Sequence, residues 1–203
     1  MNRQLALIGL FAASLVSLPA VVEAQDVAPP GFGIGIDAGV VTLSPQADQR
    51  EWGGAAEGAV RYTWASGFQV LAGATYGFAS VEDVDENRYF WGLFADGRLL
   101  LSMGAQSVVP WVGGRVGYVS QSLNVEELPN NLGRGEFRGT GWTASGLVGM
   151  LARLSDQLAF DAYLAFGVAP FSDVELNGET LEGTSNTDFT ASLKIGLVYS
   201  FGS

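Results

Sequence analysis

Eight ionisable side chains stand inside segments that otherwise alternate between bulky apolar and small residues: Asp37, Glu57, Arg61, Asp96, Arg98, Arg115, Asp161 and Lys194. Four are acids and four are bases. Charges withdrawn from water persist only when paired and hydrogen-bonded, so the first chemistry open to this set is a network of ion pairs. The second is conduction of protons or ions along the same groups. Neither sign dominates, and Phe90, Phe94, Trp111 and Tyr163 share the charged face. That bulk favours a packed network over an open path.

Catalysis has less to work with. The chain contains no histidine and no cysteine, which removes Ser–His and Cys–His nucleophiles and most zinc sites. The remaining carboxylate pairs, Glu126 with Glu127 and Asp83 with Asp85, fall in predicted loops without an apolar pocket and read as solvated charge. Gly31, Gly33 and Gly35 alternate within a strand and open no helix, so they are not a nucleotide loop. No enzymatic activity and no cofactor are expected, and no metal site is assigned.

The elements that must hold the eight charges are strands. The last one is the clearest. Phe189, Ala191, Leu193, Ile195, Leu197, Tyr199 and Phe201 fall on one face, and Thr190, Ser192, Lys194, Gly196, Val198 and Ser200 on the other. Strict period-two alternation marks a strand between two unlike environments. The same rhythm predicts strands over 31–43, 53–64, 68–80, 89–101, 109–119, 139–152, 158–171 and 189–201. Connections 65–67, 102–108 and 153–157 are short, whereas 44–52, 81–88, 120–138 and 172–188 are longer and polar. Every mid-strand charge lands on the face opposite the bulky apolar residues. A charge at a bilayer midplane costs about 2–4 kcal/mol, so this segregation points to a closed barrel with lipid outside. A soluble barrel that encloses an apolar ligand would reverse the two faces. Aromatic residues gather at both strand ends, with Trp64, Phe68, Phe160, Tyr199 and Phe201 at one and Phe78, Tyr89, Trp91, Tyr118, Trp142 and Phe189 at the other. Interfacial girdles have this composition.

Composition agrees. The chain is 48% hydrophobic but only 15% charged, where about 25% charged is usual for a soluble domain. Its 28 glycines suit a narrow, strongly curved sheet. At the N-terminus a short basic region precedes an apolar stretch over 5–18, shorter than the ~20 residues of a spanning helix. Val22, Glu23 and Ala24 then form a small-x-small cleavage site before Gln25. The expected organisation is a signal peptide over 1–24, a short periplasmic lead-in over 25–30, and an all-β, eight-stranded, antiparallel transmembrane up-and-down β-barrel over 31–203.

With leader, strand rhythm, the Pro110-Trp111-Val112-Gly113 run and the terminal Tyr199-x-Phe201 in hand, the chain resembles the OmpA/OmpX-like small bacterial outer-membrane β-barrels. The resemblance implies an outer-membrane location with both termini periplasmic and four loops outside. It also implies that Tyr199 and Phe201 form the C-terminal signal read by the barrel assembly machinery. Outer-membrane lipid and lipopolysaccharide are the implied surroundings. The expected role is a non-enzymatic, plugged barrel acting in structure or surface interaction, with a narrow porin-like channel as the alternative.

Net charge is −11, and nucleic acid is excluded as a partner for so acidic a protein. The acids concentrate in the long connections. Glu82, Asp83, Asp85, Glu86, Asp173, Glu175, Glu179 and Glu182 are candidates to bind divalent cations that bridge to lipopolysaccharide phosphates, with Arg88 and Arg138 in direct contact. A host or cell-surface ligand is the other partner such loops would serve. N-terminal sequencing of protein from the outer-membrane fraction is expected to begin at Gln25; intact Met1-containing protein in the inner membrane would overturn the leader assignment.

Overall fold

Alternation of bulky and small residues drives eight long strands into a single antiparallel ladder that closes on itself. The structure, a computed structural model, describes residues 28–46, 49–81, 86–101, 107–125, 135–176, 179–180 and 186–201. The long strands are β1 (Gly31–Gln46), β2 (Gln49–Thr63), β3 (Phe68–Val81), β4 (Glu86–Leu100), β5 (Val108–Val125), β6 (Gly135–Arg153), β7 (Leu158–Leu176) and β9 (Asn186–Ser200). Between the last two, a two-residue strand β8 (Glu179–Thr180) pairs with Glu175 and Leu176 of β7. Each long strand pairs with its sequence neighbour, and β1 closes the cylinder on β9, so no long strand is left as an edge.

Closure leaves two surfaces. Outside runs an apolar belt that includes Phe32 (67% exposed), Ile36, Val60, Tyr76, Leu93, Val116, Trp142 (68% exposed), Phe166 and Ile195. Soluble monomers rarely expose so continuous an apolar belt to water; lipid is the environment that matches it. No described helix is long and apolar enough to cross a membrane, and the crossing is made by strands. Trp64 stacks edgewise on Tyr62 at 4.7 Å and Tyr199 on Phe201 at 5.4 Å at the turn end. Tyr118 bridges Trp91 and Trp142 at 6.1 and 6.0 Å toward the loop end.

The strands begin and end close to expectation at the turn end and overrun it at the loop end. β5 and β6 stay paired out to Val125 and Gly135, well inside the predicted connection 120–138. Beyond the belt both faces of a hairpin meet water, so the alternation fades while the backbone ladder continues. Trp52 is the clearest loss from this effect. It falls in a predicted loop, yet it belongs to β2, opposite Ser80, and faces outward with the upper aromatics.

Local chemistry sets the turns. Between β2 and β3 the chain reverses through Gly67, whose φ of 80° lies in the left-handed region that favours glycine. Its amide bonds the Trp64 carbonyl at 2.9 Å, and the Trp64 amide bonds the Phe68 carbonyl at 2.9 Å. The β6–β7 ladder is the least regular. Its register shifts between Thr140 and Gly141, leaving Ser172 without a partner on β6, and pairing resumes from Ala144 with Val168. Pro170, which has no amide proton to give, sits in that interval.

The expected lead-in is only partly described, from Ala28 on, and residues 1–27 lie outside the described residues. Ala28 does not trail away from the barrel. It is buried with Leu100, Val109, Trp111 and Leu151 and helps to fill the turn end of the lumen. Trp111 fits there because Gly149 faces it: a Cβ at 149 would stand 2.6 Å from the indole Cε2 and Cζ2 atoms. Gly149→Ala is therefore expected to destabilise the barrel by about 1–3 kcal/mol, read as a lower urea midpoint of heat-modifiable folding. An unchanged midpoint would mean that the indole is free to leave its place.

Candidate functional site

All eight predicted lumen residues point inward, and seven of them join in one layer across the barrel. The layer follows from period two. Once the bulky residues face lipid, every second residue of each strand must enter the lumen, and the inward residues beside the charges are mostly glycine, alanine, serine and threonine, with Phe94, Leu100 and Tyr163 as the large ones. Asp37 and Glu57 are direct cross-strand partners on β1 and β2, as are Asp96 and Arg115 on β4 and β5. Arg98 and Asp161 come together across the lumen from β4 and β7.

Asp161 is fully buried. Its Oδ2 accepts from Arg98 Nη1 at 2.8 Å and lies 3.6 Å from Arg61 Nη2, while its Oδ1 accepts from the Trp111 indole N–H at 3.1 Å. Asp96 accepts from Arg98 Nη2 at 3.0 Å and takes a fork from Arg115, Nε to Oδ1 at 2.7 Å and Nη2 to Oδ2 at 2.9 Å. Bidentate guanidinium–carboxylate pairs of this kind are among the stronger hydrogen bonds available. Arg115 reaches on to Glu57 Oε1 at 2.7 Å, where Lys194 also donates, and Tyr163 Oη donates to Glu57 Oε2 at 2.7 Å. Two guanidinium groups are stacked as well as paired. Arg98 lies 4.1 Å from the Trp111 ring centre, and Arg115 lies 3.8 Å from that of Phe94. Asp37 is buried in the same interior, its carboxylate set against Gly196, and its Oδ1 has no hydrogen-bond partner.

A second polar cluster lies nearer the loop end, and sequence reasoning placed its members wrongly. Arg88, expected at a loop base in contact with lipopolysaccharide, turns into the lumen. It donates to Glu51 Oε1 at 2.8 Å, Asp188 Oδ2 at 3.4 Å and Gln121 Oε1 at 3.1 Å. The signal was present: Arg88, Phe90, Phe94 and Asp96 share one phase, and extending β4 by one repeat carries Arg88 inside. Between the two polar layers lies an apolar zone built on Val41, Leu43, Ala55, Ala79 and Phe90, with a cavity of about 120 Å³. Nothing in the sequence pattern marks that cavity.

The other loop candidates do not gather into a site. Glu82, Asp83, Asp85, Glu126, Glu127 and Glu182 lie outside the described residues, as do the side chains of Glu86, Asp173 and Glu179. Glu175 is half-buried, opposite Arg138 across β6 and β7. Arg138 is exposed and donates to Glu136 at 3.0 Å. Among the described residues no group of three acids is placed to hold a metal ion. At the C-terminus, Tyr199 and Phe201 (56% exposed) share the outer face with Leu197, the Phe201 amide bonds the Phe32 carbonyl at 2.8 Å, and Tyr199 Oη donates to Gln157 at 2.8 Å.

Removing one member of the inner layer strands its partner. Arg98→Ala is expected to cost about 3–5 kcal/mol, because Asp96 and Asp161 lose a shared donor. Arg98→Ala combined with Asp161→Ala should cost less than the sum of the two single changes. Urea midpoints of the folded barrel measure this coupling, and strict additivity would break the pairing argument.

No protein-family model matches the chain, and no curated protein matches it by sequence. Solved structures do match in shape. Neisserial surface protein A is similar with a TM-score of 0.62 at 14% identity, over 84% of this chain and 97% of that one. The outer membrane protein OprG from Pseudomonas aeruginosa is similar with a TM-score of 0.55 at 13% identity, over 86% and 98%. At these identities the likeness speaks of fold. This chain has the closed, antiparallel fold of the small eight-stranded outer-membrane barrels, the fold its resemblance to the OmpA/OmpX-like proteins implies.

Proposed function

We propose that this protein is a non-enzymatic bacterial outer-membrane barrel whose lumen is sealed by its own side chains. Its role on this reading is that of a membrane anchor presenting acidic hairpin tips to the outside. The termini and short turns then lie in the periplasm. Tyr199 and Phe201 lie at the inner interface, where the assembly machinery would read them. The observation that carries the reading is the inner charged layer. Arg98, Arg115, Lys194, Asp96, Asp161 and Glu57 are tied to one another across the lumen, and Trp111 and Tyr163 fill the space beside them. An eight-stranded barrel is barely wider than its own side chains, so a hydrated ion would have to dismantle several charge-assisted bonds to pass.

Absence of histidine and cysteine supports the non-enzymatic part. Lipopolysaccharide contact through bridging cations belongs to the same proposal, but without Arg88, whose guanidinium is committed inside the barrel.

Planar-bilayer recording of the refolded barrel tests the seal. The wild type is expected to give no resolved single-channel steps, and Arg115→Ala combined with Asp96→Ala is expected to open small, noisy conductance. Stable steps from the wild type would favour the narrow channel instead.

A further inference from the structure

The chamber between the two polar layers is walled by residues that line space and leave it unfilled. The Phe94 ring lies against Gly73, where a Cβ would stand 2.6 Å from its Cζ, and the Phe90 ring lies against Gly77 in the same way. Both rings are thereby drawn onto the barrel wall. Across from them β7 contributes only Ala165 and Ala169 below Phe171. The result is the cavity of about 120 Å³. A comparable apolar void of about 150 Å³ holds a benzene molecule.

Its ends differ in chemistry from its walls. Lys194, Arg115 and Glu57 border the floor, and hydroxyls of Thr143, Ser145 and Ser192 stand on the side. An ammonium carries three N–H donors, and its bond to Glu57 uses one. From these features we propose that the loop-end half of the lumen binds one small neutral amphiphile: a single ring or short chain whose one hydroxyl or carbonyl head settles on Lys194 and the hydroxyls. Charge decides against an acid. The eight charges around the inner layer balance, and Arg88 with Glu51 and Asp188 leaves the loop end with one acid in excess, so a further carboxylate would be buried without a matching cation. Phenol is the simplest probe of this class, with a ring for the phenylalanine walls and one hydroxyl for the floor.

Ligand-observed saturation-transfer NMR on the folded, detergent-solubilised barrel tests the site, with phenol and benzoate as probes. Saturable phenol binding is expected, with benzoate at least tenfold weaker. Ala169→Leu, which places its side chain in the chamber, should weaken phenol at least tenfold while heat-modifiable folding is retained. Thr143→Val leaves the volume alone and should weaken phenol severalfold, so the site stays testable if Ala169→Leu folds poorly. A phenol signal that does not saturate, or that is the same in the wild type and both variants, marks partition into detergent and overturns the site. Benzoate binding tighter than phenol overturns the assignment of a neutral ligand. Loss of this proposal leaves the sealed-anchor reading intact, because that reading rests on the inner charged layer and is tested by conductance.

Discussion

Lipid offers no hydrogen bond to a peptide group, and that constraint governs the whole molecule. Each unpaired N–H or C=O within hydrocarbon would cost several kcal/mol, so the strands must pair on both edges and the sheet must close. Closure with eight strands fixes a narrow bore. The bore in turn dictates what every second residue is allowed to be. Glycine stands where a large side chain on the next strand leans across the wall: Gly149 beside Trp111, Gly113 beside Arg98 and Gly33 beside Arg61.

A bore lined by backbone cannot be filled with hydrocarbon alone, because its strands alternate too few large residues inward. The interior is instead stacked in layers. From the turn end these are an apolar cap around Leu100, Val109 and Leu151, then the paired charges, then the apolar chamber, then Arg88 with its acids. The charged layer tolerates burial because nearly every carboxylate oxygen has a donor and two guanidinium groups rest on aromatic faces. Asp37, with an oxygen left over, is the exception, and it sits against glycine where there is room for little else.

How much of this was legible depended on depth in the membrane. Within the belt, lipid and lumen are such different solvents that the bulky residues write the phase of each strand, and in six of the eight the charges write it a second time; Phe189 to Phe201 shows both. Above the belt the two faces see the same water. There the alternation misplaces Trp52 and Arg88, since one reads as a loop residue and the other as a loop-base cation. The identity of the charged residues was readable, but which acid meets which base was not. Pairing across the lumen, as between Arg98 and Asp161, depends on strand tilt and stagger, which leave no mark on the spacing within a strand. Ala28 was hidden for a related reason, since a lone alanine before a proline carries no sign that it will be tucked into a barrel mouth.

One seam distinguishes this cylinder from an ideal one. Between β6 and β7 the register slips at Thr140 and Gly141, and Pro170 stands in the interval before regular pairing resumes at Ala144 and Val168. A closed sheet has no frayed edge from which to peel, so a gap within one ladder is where neighbouring strands are locally least held. This junction lacks an amide proton at Pro170 and carries a bulge beside it. Pairing is intact on both sides of that gap, so the wall yields there only locally, and a protein that looks rotationally uniform has one side that is softer than the rest.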